Sequence, residues 1–318
     1  MLVNQDPLNT TDHPTGCVAT IGNFDGLHKG HQTIIQTVVD RAAELGSPAV
    51  VITFYPHPLA IVAPDRVPPQ ILTLSQKEEL LAEMGIDAIL EIPFNQEFSR
   101  WSADRFVNEI LHEKLKVREV HIGEDFAFGA GRTGDLDFLK EKGKELGFDV
   151  EGVPPVTIRG IRVSSSIVRD AIEKGAMRIV QTCLGRDHFV DGRVETGRRL
   201  GRKIGVPTVN LAPANELFPR SGVFVTTSHF ESFGRTFAGV TNIGVRPTLY
   251  ENYATTIETH ILDFNANVYG DQVRLHFHQL LRREQRFASA VELTNQIQKD
   301  IERTRLYFLQ KGELPIEI

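Results

Sequence analysis

Cysteine is nearly absent: Cys17 and Cys183 are the only two in 318 residues, far apart and without Cys-x-x-Cys spacing. A structural zinc site is therefore not supported, and Cys17, beside an apolar run, reads as a small core residue. Positive charge is not in excess, with 35 Lys and Arg against 41 Asp and Glu and a net charge of −6. No nucleic-acid partner is expected, and any anion site must be local. No apolar run approaches membrane-spanning length. Residues 1–16 are polar and lack the basic start and apolar centre of a signal peptide, so the expected location is cytoplasmic, away from membranes. No Gly-Lys-Ser or Gly-Lys-Thr follows a strand, which excludes a Walker loop. Tryptophan occurs once, as Trp101; it either lines a pocket or anchors the start of a helix. What remains is ordinary globular composition, 41% hydrophobic and 24% charged, in a chain long enough for two domains.

The most informative stretch runs from Val18 to His31. An apolar strand ends at Gly22. A turn follows with Asn23, Phe24, Asp25, Gly26 and Gly30, where glycine, Asn and Asp tolerate unusual backbone angles. Ile34, Ile35, Val38, Val39 and Ala42 then recur at helical spacing, and Ala49–Phe54 is a second apolar run. This is a βαβ unit whose helix start faces the carboxyl end of the first strand, a place that attracts phosphate. His28 and His31 stand there, each able to donate a ring N–H, and Gly30 lets the backbone approach. The His-x-Gly-His arrangement resembles the signature of the nucleotidylyltransferases, which pass a nucleotidyl group from a nucleoside triphosphate and release pyrophosphate.

The first half continues as alternating strands and helices. Pro56 and Pro58 bracket His57 and hold it near the same sheet edge. Ser75–Glu78 reads as a capping box, with Gly85 ending its helix. Ala88–Ile92 reads as a strand, and a helix from about Ala103 to Leu115 buries Phe106, Val107, Ile110 and Leu111. Val120–Gly129 is another strand running into a turn. Its Asp125 suits Mg²⁺ or a ligand hydroxyl, and Phe126 and Phe128 suit a flat ring, unless the two are core phenylalanines. A helix over about Leu136–Leu146 leads to a strand at Val150–Val153. Ser164, Ser165 and Ser166 precede a helix and form a second anion site, with Arg169 one turn along. The expected architecture is a doubly wound, mostly parallel sheet with ligands at its carboxyl edge.

Near Gly185 helical periodicity gives way to short alternating runs, at Phe189–Val194, Gly222–Phe230, Phe237–Ile243, Thr256–Leu262 and Val273–Phe277. This predicts a small antiparallel barrel. A last helix starts at a capping box, Ser289–Glu292, and runs towards Phe308, burying Leu293, Ile297, Ile301 and Leu306. Between the first two runs, Gly197, Gly201, Arg202, Lys203 and Gly205 form a glycine-rich basic loop suited to phosphates. Pro207 fixes the following backbone, and Thr208 and Asn210 face one way as neutral oxygen ligands for a hydrated Mg²⁺. Glu258, on the strand face of His260 and Leu262, is a candidate general base or an outward surface carboxylate.

Taken in order, these motifs cover nearly the whole chain. They include Gly22–His31, Phe54–Pro58, Gly123–Gly129, Ser164–Arg169, Gly205–Asn210, Asn242–Thr248, Glu258–Phe264 and Tyr269–Gly270. Together they resemble the prokaryotic bifunctional riboflavin kinase/FAD synthetase family. The resemblance implies a nucleotidylyltransferase domain at 1–184 and a riboflavin kinase barrel at 185–318. It implies that riboflavin and ATP give FMN, that FMN and a second ATP give FAD, and that Mg²⁺ assists. Glu258 would be the kinase base, with Thr208 and Asn210 on the metal and the glycine-rich loop on the phosphates. His28, His31, Gly22, Asn23, Phe24, Gly30, the serines and Arg169 would hold the triphosphate of the second reaction, with His57, Asp125, Phe126 and Phe128 on flavin or metal. Ser166, Val206, Val209 and Phe224 depart from the family's usual Thr, Phe, Ala and Tyr without removing a metal ligand or base. A transferase for another phosphate, such as a pantetheine phosphate, and a non-catalytic flavin-binding barrel remain alternatives at this point.

Overall fold

A computed structural model of the chain describes residues 1–196, 205–247 and 253–312. It forms two compact units, Met1–Ser165 and Ser166–Ile318.

In the first unit the strands are β1 (Leu2–Asn4), β2 (Val18–Ile21), β3 (Ala49–Tyr55), β4 (Ala88–Pro93), β5 (Glu119–Gly123) and β6 (Asp149–Val153). They form one sheet in the order β1-β4-β3-β2-β5-β6, every pair parallel. The order reverses between β2 and β5, and a doubly wound sheet opens its ligand crevice at the carboxyl ends of such a pair. The helices are α1 (Lys29–Leu45), α2 (Pro58–Val62), α3 (Leu74–Glu83), α4 (Ala103–Phe106, continued as a π-helix over Val107–Lys114) and α5 (Leu136–Leu146). Ile35, Val38 and Ala42 are the buried stripe of α1; burying each of the two larger side chains contributes about 1.5–3 kcal/mol.

One local reading needs correction, and three short strands go beyond it. The cap of α3 is Thr73, not Ser75: Thr73 accepts from the Gln76 N–H and the Gln76 side chain accepts from the Thr73 N–H. Ser75 lies inside the first turn. The short edge strand β1 and the hairpin β7 (Thr157–Ile158) and β8 (Ile161–Arg162) carry too few residues to show a period. That hairpin turns through Arg159 and Gly160, both at positive φ.

In the second unit α6 (Ser165–Glu173, its first residue in the preceding unit) and α7 (Met177–Leu184) precede the barrel. Its strands are β9 (His188–Glu195), β10 (Val209–Pro213), β11 (Gly222–Phe230), β12 (Arg235–Pro247), β13 (Tyr253–Ile261) and β14 (Gln272–Arg282). They close antiparallel in the order β10-β13-β12-β11-β14-β9. The five expected strands are present, and β10, expected only as an extended segment, completes the ring. One parity of the strands carries Phe224, Phe277 and hydrogen-bonded Thr226, Thr241 and Thr259, all at most 2% exposed. On the other, Val223, Val225, Ala238 and Val240 pack under Ile301 and Phe308 of α8 (Ala290–Lys311).

The start and face of α8 differ from expectation. Ser289 caps it, but Glu292 turns back to the N–H of Ala288 rather than of Ser289. Its buried residues are Asp300, Ile301, Thr304 and Phe308, while Leu306 is 55% exposed. Asp300 is tolerated inside because Arg282 and Gln296 each reach it at 2.9 Å.

Candidate active sites

The β2 turn is bent by three residues at positive φ: Phe24 at 49°, Gly26 at 82° and Leu27 at 43°. For Phe and Leu this backbone is strained. Burial holds it, since Phe24 and Leu27 are 2% and 1% exposed. So does Asp25, whose carboxylate accepts the N–H groups of Ile71 and Leu72 at 3.0–3.2 Å and whose carbonyl accepts from Ser165 Oγ at 2.9 Å.

His28 then caps α1, its Nδ1 accepting the His31 N–H at 3.2 Å. With Nδ1 an acceptor, the neutral ring carries its proton on Nε2. The His28 and His31 rings stack at 3.6 Å, and Phe24 meets His31 edge-on at 5.2 Å. Glycine at position 30 has a specific cause: a Cβ there would lie 3.2 Å from both Cε1 and Nδ1 of His28. Gly22 likewise leaves room for the Phe24 ring, which a Cβ would approach to 3.1 Å. The first turn of α1 holds no acidic residue, so its positive end is not neutralised by its own side chains.

Of the other residues singled out above, His57 is joined to this turn through Asn23. His57 caps α2 through Nδ1, which accepts from the Leu59 N–H at 3.1 Å. Its Nε2 therefore carries the proton; the Asn23 side-chain nitrogen lies 3.2 Å away, and turning that amide over presents its oxygen as the acceptor. After β5, Asp125 pairs with Arg162 at 2.7 Å, both side chains exposed. Phe126 stacks on Phe128 at 5.7 Å. Phe128 itself is 8% exposed and belongs to the core, while Phe126 packs against that core only partly buried. Trp101 is an anchor by its contacts: Phe98 lies 4.9 Å from its ring, Arg105 covers it at 3.8 Å, and its carbonyl accepts from Ala130 at 2.8 Å. Ser165 and Ser166 open α6, whose first turn has no acidic residue, and Arg169 lies within that helix.

In the barrel, strand register assembles the second site. Asn210 on β10 stands opposite Glu258 on β13, and Glu258 stands opposite Asn242 on β12. Directly paired residues point to one face of a sheet. Asn242 also pairs with Val223, which places this row on the face α8 covers further along. Glu258 is half-buried, and its neighbours in the row are polar, not the apolar face expected. Thr208 lies two residues before Asn210. The segment is tied down by His260, whose Nδ1 donates to the Pro207 carbonyl at 2.8 Å. Register and folding, not spacing along the sequence, bring Asn242 beside Glu258 and His260 to Pro207. Gly197, Gly201, Arg202 and Lys203 lie outside the described residues, while Gly205 is at positive φ. Val206 and Phe224 are 2% and 0% exposed, so these two departures concern core packing.

Comparison with known proteins meets this geometry. The FAD synthetase family model matches residues 10–167 and the riboflavin kinase model residues 184–308. A bifunctional riboflavin kinase/FMN adenylyltransferase of Pseudomonas fluorescens is 40% identical over 290 residues, 91% of this chain and 92% of that protein. This chain belongs to that family. The Escherichia coli K12 member is 36% identical over 296 residues, 92% of this chain and 93% of that protein. A solved structure described as a macrolide-efflux protein from Streptococcus pneumoniae shares the fold, with a TM-score of 0.87 and 26% identity over 96% of this chain and 98% of that one. Efflux is said of that protein; among the described residues here no helix is long and apolar enough to cross a membrane.

Family membership gives the chemistry. The enzyme phosphorylates riboflavin with ATP to give FMN and adenylylates FMN with ATP to give FAD and pyrophosphate. The alternatives of another phosphate substrate and of a non-catalytic barrel fall away.

Proposed function

We propose that adenylyl transfer takes place at the β2 turn and riboflavin phosphorylation at the Asn210–Glu258–Asn242 row. The division of chemistry is residues 1–184 for the first and 185–318 for the second. The observation that carries the kinase assignment is the register pairing Asn210 with Glu258, which sets a carboxylate beside a neutral oxygen donor. In the kinase reaction Glu258 takes the proton of the ribityl 5′-hydroxyl as its oxygen attacks the γ-phosphorus of ATP, and ADP leaves. Gly197, Gly201, Arg202, Lys203, Gly205 and Pro207 would line the nucleotide phosphates.

Thr208 and Asn210 supply a hydroxyl and an amide oxygen, the hard neutral donors that suit Mg²⁺ arriving on a nucleotide. Among the described residues no cluster of His, Cys, Asp and Glu forms a metal site. Magnesium would supply charge neutralisation on the phosphates.

In the second reaction a phosphate oxygen of FMN attacks the α-phosphorus of ATP. The nucleophile is already an anion, so the need is for donors to the transition state and to leaving pyrophosphate. His28 Nε2–H, His31 and the α1 N-terminus are those donors, with Gly22, Asn23, Phe24 and Gly30 shaping the turn. Ser164, Ser165, Ser166 and Arg169 are assigned to ATP from the sequence motif, and His57, Asp125, Phe126 and Phe128 to flavin or metal. Phe128 would act there by backing Phe126. A cytoplasmic location fits two free, buried cysteines.

One assay tests both sites in the full chain. With riboflavin, ATP and Mg²⁺, His28→Ala should still make FMN while FAD formation falls about a hundred- to a thousand-fold. Glu258→Gln should lose about two to four orders of magnitude in FMN formation and still convert supplied FMN to FAD. Normal FAD synthesis by His28→Ala, or normal phosphorylation by Glu258→Gln, refutes the corresponding assignment.

A further inference from the structure

Ser165 shares a motif with Ser164 and Ser166, yet its hydroxyl is committed elsewhere. It opens α6 and lies in the first unit. Its Oγ donates to the main-chain carbonyl of Asp25 at 2.9 Å. A serine hydroxyl carries a single proton, and the oxygens of a nucleoside triphosphate accept hydrogen bonds. While the Ser165 proton lies on Asp25, this side chain has nothing to donate to a phosphate. Its partner is instead a peptide of the turn that carries His28 and His31.

That peptide is the middle of a tight turn. The Leu27 N–H donates to the Phe24 carbonyl at 3.3 Å, which closes a β-turn with Asp25 and Gly26 at its centre. Gly26 has a φ of 82°, the value a type II turn requires at its third position and one that glycine adopts freely. Types I and II differ by a flip of the central peptide. Glycine at the third position permits both, so contacts must decide. The Asp25 carboxylate is anchored on the N–H groups of Ile71 and Leu72, and a Cβ on Gly26 would lie 2.8 Å from Ile71 Cδ1. The turn is therefore pressed against that loop. The Ser165 hydroxyl takes the Asp25 carbonyl and so fixes which way the central peptide faces. Phe24 and Leu27 stand at positive φ on either side, and such backbone persists only where its surroundings over-determine it. His28 follows Leu27 directly.

We propose that Ser165 is a positioning residue for adenylyl transfer: its hydroxyl holds the Asp25–Gly26 peptide in the orientation from which the turn presents His28 and His31. Ser165 thereby leaves the group of ATP ligands that the sequence motif suggested. This rests on the assignment of that turn to adenylyl transfer, and the His28→Ala assay above tests that assignment separately. Without the hydroxyl the peptide is free to flip, which misplaces donors that matter most in the transition state. The loss therefore falls on kcat. A phosphate ligand would hold ATP in the ground state as well, and its removal would raise KM for ATP.

The test compares Ser165→Ala with Ser165→Thr, which keeps a hydroxyl, in the full chain. Ser165→Ala should lower kcat for FAD formation from FMN roughly ten- to a hundred-fold, with KM for ATP close to the parent's and riboflavin phosphorylation unaffected. Ser165→Thr should restore most of the rate. A second measurement needs no turnover. In the enzyme without ATP, the imidazole NMR signals of His28 and His31, assigned with His28→Ala and His31→Ala, should shift in Ser165→Ala and return towards the parent in Ser165→Thr. Loss of a mere phosphate ligand leaves those signals in place when no nucleotide is present. A raised KM for ATP at parental kcat, an unchanged kcat in Ser165→Ala, or unmoved imidazole signals overturns the proposal. So does a Ser165→Thr variant as slow as Ser165→Ala, because the hydroxyl would then not be what matters. The signals report on the turn even if His28→Ala keeps making FAD, so failure of the site assignment and failure of the positioning role are told apart.

Discussion

Acid should unfold the kinase unit well before its carboxylates protonate. His188 on β9 is wholly buried, and burial, with Arg186 nearby, pushes it from 6.5 down to about 3, against the Leu217 carbonyl that favours its charged form. His276 on β14 is pushed down to about 4, mainly by burial and then by His278 and Arg274, with Asp187 and Asp191 pulling the other way. In both cases the folded value lies below the unfolded one. The unfolded chain therefore binds more protons below pH 6.5, and stability is lost as pH falls from there towards the folded values. At pH 5, about 1.5 pH units below the unfolded value, each histidine costs about 2 kcal/mol, or about 4 kcal/mol for the two. A domain stable by roughly 5–15 kcal/mol loses a large part of its margin. With a slope of roughly 2 kcal/mol per molar urea, the midpoint should fall by about 2 M between pH 7.5 and pH 5. Trp101, the only tryptophan, lies in the first unit, so its fluorescence follows that unit while far-UV circular dichroism follows both. His188→Leu should remove about half of the acid loss. An unmoved kinase-unit midpoint, or an equally steep loss in His188→Leu, would refute the reasoning.

Gly30→Ala should reduce FAD formation by roughly tenfold or more while FMN formation continues, because the added Cβ would press on the His28 ring at 3.2 Å. A parental rate in a quenched-flow or coupled pyrophosphate assay would mean that the ring position is not critical. A fragment from Leu184 to Ile318 contains β9–β14 and α8 and should make FMN from riboflavin but no FAD. A longer fragment from Ser166 should resist heat better, because Met177 and Val180 of α7 are buried within that unit, each contributing about 1.5–3 kcal/mol. A folded shorter fragment that binds riboflavin without phosphorylating it would sink the division of chemistry.

Where one period dominates, the fold was readable before any coordinates. The stripe Ile35, Val38 and Ala42 identifies α1, and the alternation over Gly222–Phe230 matches β11 residue for residue. Reading failed where polar residues occupy buried positions with a partner supplied from elsewhere. Asp300 and Thr304 complete the inner face of α8, yet hydropathy favours Leu306, which points out. Thr226, Thr241 and Thr259 fill the barrel by bonding one another, and no window along one strand shows that three hydroxyls will meet.

The sites divide along the same line. His28 and His31 were legible because a turn and a helix cap are local, and a cap joins residues three apart. Even so, the motif does not say why Gly30 is glycine. Clearance for the His28 ring demands it, and only the geometry shows that. Asn242 and Glu258 lie 16 positions apart yet directly opposite. Such pairs depend on register, and a one-residue slip of β13 would carry Glu258 to the face of Thr226 and Thr241 and turn Thr259 away from them. The buried threonines hold that strand by their hydroxyls, so slipping it would strand Glu258 among them without the polar row it now faces. The barrel's interior hydrogen bonds are therefore part of what places Glu258, although none of them lies on the face proposed for the kinase reaction.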